Sequence, residues 1–89
     1  MPLIFDGDQV RIDGVCMVED AMPLLEFFQT HAAARVGMRE CTHLHSAVLQ
    51  VLIAAVASDG ARIMDLPVED FLRRWLTPLF GPGLDAVGT

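Results

Sequence analysis

The stretch ECTHLHSAVLQVLIAAVASDG, residues 40–60, decides the fold of this chain. It begins with a cysteine and two histidines at alternate positions, passes through Ser46, and then runs almost wholly apolar to Ala57. Serine is a favoured residue at a helix start, and Ser58-Asp59-Gly60 is a typical helix end. We therefore predict a helix over residues 46–57 with Ser46 as its N-cap. A helix that is apolar nearly all round is normally covered on more than one side.

Strand and helix signals alternate on the N-terminal side of this stretch. The runs PLIF and QVRID flank Asp6-Gly7-Asp8, which predicts a hairpin because glycine accepts the positive φ of a tight turn. Helical spacing then predicts a first helix over residues 20–31, with Asp20 as its cap and Pro23 in its first turn. The segment ARVGM follows as a strand.

On the C-terminal side, ARIMDL predicts another strand and PVEDFLRRWLTPLF the last helix. Proline is favoured in a first turn, so this helix is expected to start at Pro67 and to stop at Thr77-Pro78. Its spacing favours Trp75 in the core, with the heads of Arg73 and Arg74 in water.

The resulting order, β-β-α-β-α-β-α, predicts an α/β domain. An N-terminal hairpin followed by alternating strands and helices gives a small mixed sheet, packed by two or three helices. So short a chain covers one sheet face well, and the other face needs polar residues or a partner. We predict one domain over residues 1–80 and a flexible C-terminal tail over residues 81–89.

Composition indicates a folded chain with more apolar surface than it can bury. The chain has 89 residues, of which 53% are hydrophobic, and a mean hydropathy of +0.44. A single small core leaves much surface per residue exposed, so a protein partner or a homodimer is expected to cover the surplus.

Charge and hydropathy narrow the classes of function. The chain has 6 basic and 12 acidic residues, a net charge of −6, and no basic patch to collect phosphates, which argues against nucleic acid. The start lacks the pattern of a signal peptide, and the longest apolar run is too short to span a bilayer. We therefore expect a cytoplasmic protein without membrane insertion. Cys16 and Cys41 form no CxxC pair and are predicted to be free, buried thiols.

The alternating Cys41, His43 and His45 raise the question of a metal site. In an extended backbone all three would project from one side as zinc ligands, yet no second cluster supplies a fourth ligand. The competing interpretation buries Cys41 and exposes both histidines in a loop. We predict no metal and no cofactor, and keep a metal-binding protein as the third hypothesis.

Catalysis has little support in the sequence. Ser46 lies beside His45, but adjacent residues at a helix start point in different directions, and nucleophilic catalysis requires a base within reach of the nucleophile. The glycines form no nucleotide-binding motif. We therefore predict a non-enzymatic protein.

The segment RVGMRECTHLHSAVLQVLIAA, residues 35–55, resembles the signature region of STAS domains. That family includes anti-sigma factor antagonists and the cytoplasmic domains of sulfate transporters. Its strand leads through a loop to a serine that opens a helix, and Ser46 stands at that serine. His45 and Val48 stand where the family has aspartate and glycine. The matching apolar positions are Val36, Met38, Leu44, Leu49 and Leu52. The resemblance covers residues 10–77 and implies a short, divergent member.

In antagonist members of that family, a partner anti-sigma kinase phosphorylates the matching serine and binds its unphosphorylated form. The resemblance therefore implies a regulatory protein-protein interaction module in the bacterial cytoplasm, with a kinase-like, anti-sigma-like or sensor protein as its partner. Its contact surface would lie at residues 42–50, and Ser46 would be either a phospho-acceptor or a plain N-cap. The contact residues would be Thr42, His43, His45, Ser46 and Gln50. The alternative function is a homodimeric scaffold, associated through apolar surface of the second and third helices.

Overall fold

The computed structural model describes residues 2–81. The strands are β1 (Leu3–Asp6), β2 (Gln9–Ile12), β3 (Gly14–Cys16), β4 (Arg35–Gly37), β5 (Cys41–Leu44) and β6 (Arg62–Asp65). The helices are α1 (Ala21–Thr30), α2 (Ser46–Ser58) and α3 (Asp70–Phe80). Of the tail predicted over residues 81–89, only Gly81 is among the described residues.

Four strands form a mixed sheet in the order β1-β2-β4-β6. β1 and β2 are the predicted antiparallel hairpin, and Gly7 takes a φ of +62° in its turn. β2, β4 and β6 run parallel, so they need the long crossovers that contain α1 and α2. The prediction of a small α/β domain with a mixed sheet packed by two or three helices is confirmed, and the number of helices is three.

A second, two-stranded parallel sheet joins β3 to β5, and the sequence patterns do not predict it. Gly14, with a φ of +72°, turns the chain out of β2, and its N–H donates to the carbonyl oxygen of Glu40. Segment 41–44 is therefore a strand and not a loop. The pairing is invisible in the local pattern because it joins segments that lie far apart in sequence.

The core lies between the four-stranded sheet and the helices on one of its faces. Val10 and Ile12 of β2 are fully buried, while the intervening Arg11 is exposed, as expected for a strand with one covered face. Apolar residues from both layers complete the core, among them Leu24, Phe28, Val36, Val48, Leu52 and Ile63. Arg35 and Arg62 are also exposed, so polar side chains occupy the uncovered face.

The start of α1 differs from the prediction. A short 3-10 turn, Val18–Asp20, precedes the helix, and the Asp20 carboxylate accepts a hydrogen bond from the Met17 N–H at 2.9 Å. Asp20 thus closes the 3-10 turn and makes no side-chain cap for α1. Pro23 lies in the first turn of α1, as predicted.

Both ends of α3 differ from the prediction as well. The helix starts at Asp70, and the Glu69 carboxylate caps it by accepting from the Leu72 N–H at 2.9 Å. It continues through Pro78 to Phe80, although proline cannot donate to the helix ladder. Burial of the Phe80 side chain, which is 4% exposed, favours this last turn.

Cys16 of β3 and Cys41 of β5 are buried and free, as predicted. Burial and the nearby Asp20 carboxylate raise the pKa of the Cys16 thiol from its ordinary value of 9.0 to about 12. Burial also raises the pKa of Cys41, against a hydrogen bond to the His43 backbone that lowers it. Both thiols are therefore protonated and inert at neutral pH.

These two pKa shifts predict a loss of stability in alkali. Above pH 9 the unfolded chain releases thiol protons that the folded chain retains, so the free energy of unfolding should fall as the pH rises, by on the order of 1 kcal/mol per pH unit for Cys16. The chain has no Lys and no Tyr, so no other side chain ordinarily titrates between pH 9 and 12. Denaturant unfolding under reducing conditions at about pH 8, 9.5 and 11 measures the slope.

Cys16→Ala is the control, and it should lose the part of the slope that belongs to Cys16. A free energy of unfolding that stays constant across this pH range in the parent chain would contradict the assignment of raised pKa values.

Candidate functional site

A single residue, His45, joins β5 to α2. Its φ of −65° and ψ of 145° are extended, and its Nδ1 accepts a hydrogen bond from the Ala47 N–H at 3.0 Å. Its own N–H donates to the Cys16 carbonyl oxygen at 2.9 Å. Because the pairing of β3 with β5 keeps His45 extended, the change to helix falls after it. The prediction that Ser46 is the N-cap is therefore wrong by one residue.

Ser46 occupies the first position of α2 and is exposed. Its hydroxyl forms no hydrogen bond with any residue in the described part of the chain. Serine at an N-cap would bind its oxygen to a backbone N–H of the first turn. Since His45 has that role, the Ser46 hydroxyl is left accessible to another molecule.

The same hydrogen bond settles the chemistry of the His45-Ser46 pair. An imidazole nitrogen that accepts a hydrogen bond from a backbone N–H has its lone pair occupied, and Nδ1 of His45 is such an acceptor. Nδ1 is occupied by the helix and cannot take the proton of the Ser46 hydroxyl at the same time. The geometry therefore lacks the base that an activated serine requires.

The alternating cysteine and histidines do not converge. Cys41 pairs with Gly14 and His43 pairs with Val15, so β5 has one extra residue at this point and its alternation is broken. Cys41 is buried with its Sγ donating to the His43 carbonyl oxygen at 3.4 Å, whereas the His43 side chain is exposed. Within residues 2–81, no three His, Cys, Asp or Glu side chains form a group that could hold a metal ion.

An apolar groove opens beside Ser46, between the start of α2 and the flank of α3. It has a volume of about 180 Å³. We call it the aromatic groove, and its lining residues are Leu44, Ser46, Leu49, Phe71, Leu72, Trp75 and Leu76. Phe71 and Trp75 form its outer wall, with ring centroids 6.3 Å apart.

The aromatic wall is a correction to the sequence analysis, which places Trp75 in the core. Trp75 is 60% exposed and Phe71 is 65% exposed, whereas Leu76 and Phe80 are buried. Two adjacent i, i+4 rows run along α3, one through residues 72, 76 and 80 and the other through residues 71, 75 and 79. Both are apolar, and the sequence pattern does not indicate which row faces the core.

The predicted contact residues lie around the junction of β5 and α2. Thr42 and His43 are exposed on β5, and Gln50 is exposed one turn after Ser46 on α2. His45 is half-buried and is occupied as the helix cap. Four of the five side chains are therefore exposed, and the fifth caps α2.

The outer surface of α2 is uncharged throughout. The helix has 13 residues, SAVLQVLIAAVAS, with no acidic or basic residue among them. Ile53 and Val56 are exposed on it at 41% and 38%. A surface helix of a free-standing domain normally has charged residues on its outer face, so this surface has the character of a contact face.

Comparison of the chain with models of protein families gives no match, and comparison with curated proteins gives no match either. Within residues 2–81, no helix combines the length and the apolar character needed to cross a lipid bilayer.

Capping by His45 predicts a clear contrast between neighbouring substitutions. His45→Ala should lower the free energy of unfolding by about 1 kcal/mol, because an N–H of the first turn loses its acceptor. His45→Asn should retain most of that stability, because asparagine is a favoured cap. Ser46→Ala should change it by less than about 0.5 kcal/mol. Urea unfolding of the three variants measures these differences, and an equal loss from Ser46→Ala and His45→Ala would contradict the assignment.

Proposed function

We propose that this chain is a non-enzymatic regulatory module of the bacterial cytoplasm, STAS-like and similar to anti-sigma factor antagonists. It binds a protein partner through residues 42–50, and phosphorylation of Ser46 by a kinase-like partner switches that binding. The main support is one observation: Ser46 is exposed at the first position of α2, and its hydroxyl is free because His45 caps the helix.

A phosphate at Ser46 would leave the fold intact and alter the surface. Phosphoserine adds nearly two negative charges at neutral pH. The first turn of a helix stabilises negative charge through its dipole and its free N–H groups, so α2 would not unwind. The modification would therefore act on the partner and not on the domain itself.

Because Ser46 lies on the rim of the aromatic groove, its phosphorylation would lower the affinity for a partner that packs there. The groove residues other than Ser46 are apolar. A partner that packs apolar groups here would have to bury the phosphate as well, and an unpaired buried charge costs several kcal/mol. Binding of the unphosphorylated form follows from this difference.

Binding, and not catalysis, accounts best for the chemistry of the described residues. His45 has its Nδ1 occupied by a backbone N–H, and the Cys16 thiol is buried with a raised pKa. Neither group provides an activated nucleophile or a free base next to an accessible cavity. The uncharged surface of α2 beside Ser46 instead suits a protein contact.

Affinity capture from a bacterial lysate with four forms of the chain tests this proposal: the parent, Ser46→Ala, Ser46→Asp and Ser58→Asp. Ser58 is exposed at the other end of α2, so Ser58→Asp is a matched control for the added charge. We expect one protein retained by the parent, Ser46→Ala and Ser58→Asp, but lost by Ser46→Asp. Circular dichroism should show the same helix content in all four.

Two results would count against the proposal. If Ser46→Asp retains the same protein as the parent, Ser46 is not a switch. If none of the four forms retains any protein, residues 42–50 are not a partner surface. Mass spectrometry of the chain recovered from cells adds a direct readout, since the proposal requires phosphate on Ser46.

A further inference from the structure

The aromatic groove combines a protrusion and a recess in one patch. Phe71 and Trp75 project from α3 with most of their surface exposed, and the recess lies directly beside them. We propose that the chain forms a symmetric dimer in which the aromatic wall of each copy fills the groove of the other. This proposal does not depend on the function proposed above.

The recess has the right size for an aromatic ring. A dry cavity of about 150 Å³ lined by apolar side chains is enough to bind benzene. The aromatic groove measures about 180 Å³ and is lined on its inner side by Leu44, Leu49 and Leu76. A phenyl ring or part of an indole ring therefore fits without displacing core residues.

Symmetry favours a second copy as the occupant. A two-fold interface uses the same patch on both subunits, so the patch must be complementary to itself. A protruding pair of rings beside a ring-sized recess meets this requirement, because one rotation fills both recesses at once. A different protein could fill the recess, but it would also need a second recess of its own to receive Phe71 and Trp75.

The charge distribution also suits self-association. The chain has a net charge of −6, yet no lining residue of the groove is charged, so closing it against a copy buries no like charges.

The exposed apolar area suits a weak, transient dimer. An aromatic side chain can bury about 150–250 Å², so Phe71 at 65% and Trp75 at 60% exposure offer on the order of 250 Å². Leu79 continues the row of Phe71 and Trp75 on α3, and Ile53 lies on the outer side of α2, with exposures of 49% and 41%. Interfaces of less than about 1,200 Å² in total are typical of weak, transient associations, so we expect a dimer that forms only at high protein concentration.

The purified chain by itself is enough for the test. Sedimentation equilibrium at about 1 to 500 μM should show a monomer passing to a dimer. Trp75 is the only tryptophan, so its fluorescence reports on the groove alone. Its emission should shift to shorter wavelength over the same concentration range, because the indole leaves water as the dimer forms.

Phe71→Glu places a charge in the centre of the proposed interface and should raise the dimer dissociation constant at least about tenfold, the scale of a central aromatic anchor. Met22→Glu is the matched control, since Met22 is a 60% exposed apolar residue on α1 and does not line the groove. It should leave the dissociation constant unchanged. Both positions are exposed, so both variants should fold.

A chain that is monomeric at the highest concentration would overturn the proposal, and so would a dimer that Phe71→Glu does not weaken. Neither result bears on the capture experiment with Ser46 variants, so the two proposals can fail separately. A dimer with the expected behaviour would cover the groove beside Ser46. Self-association and partner binding would then compete for one surface.

Discussion

The hydrogen bonds of His45 link the paired strands β3 and β5 to the start of helix α2. Its N–H donates a hydrogen bond to the Cys16 carbonyl oxygen, which links the end of β5 to β3. Its Nδ1 accepts a hydrogen bond from the Ala47 N–H, which caps the start of α2. The carbonyl oxygen of the same residue accepts from the N–H groups of Val48 and Leu49. One residue therefore ends a strand, caps a helix and fixes the direction in which that helix leaves the sheet.

The direction of α2 in turn determines the surface around it. Val48, Leu52 and Ala55 are buried, so Ser46 and Gln50 lie on the outer side with Ile53. The uncharged outer side then meets the aromatic flank of α3 across a groove. The exposed apolar residues of α2 and α3 therefore lie around one groove, where they could form a contact. The polar face of the four-stranded sheet is a separate surface.

The position of α3 depends on a competition between two nearly equal rows of apolar residues. The row through Leu72, Leu76 and Phe80 faces the core, and the row through Phe71 and Trp75 faces water. Burial of an aromatic pair would give more hydrophobic free energy than burial of leucines taken alone. The core nevertheless takes the first row, with Leu76 and Phe80 buried, so the apolar area of a row does not by itself decide which row faces inward.

The sequence by itself determined the hairpin, the strands near residues 36 and 63, the three helices and the two buried thiols, since each depends on local periodicity or turn chemistry. The sequence also indicated residues 42–50 as a candidate contact surface. Only the tertiary structure decided that β3 pairs with β5, that His45 and not Ser46 caps α2, and that Trp75 is exposed. Each of these depends on which segments, distant in the chain, lie side by side. Local sequence patterns carry no information on such pairing. A backbone N–H or a row of apolar residues has the same local sequence whichever distant segment it contacts.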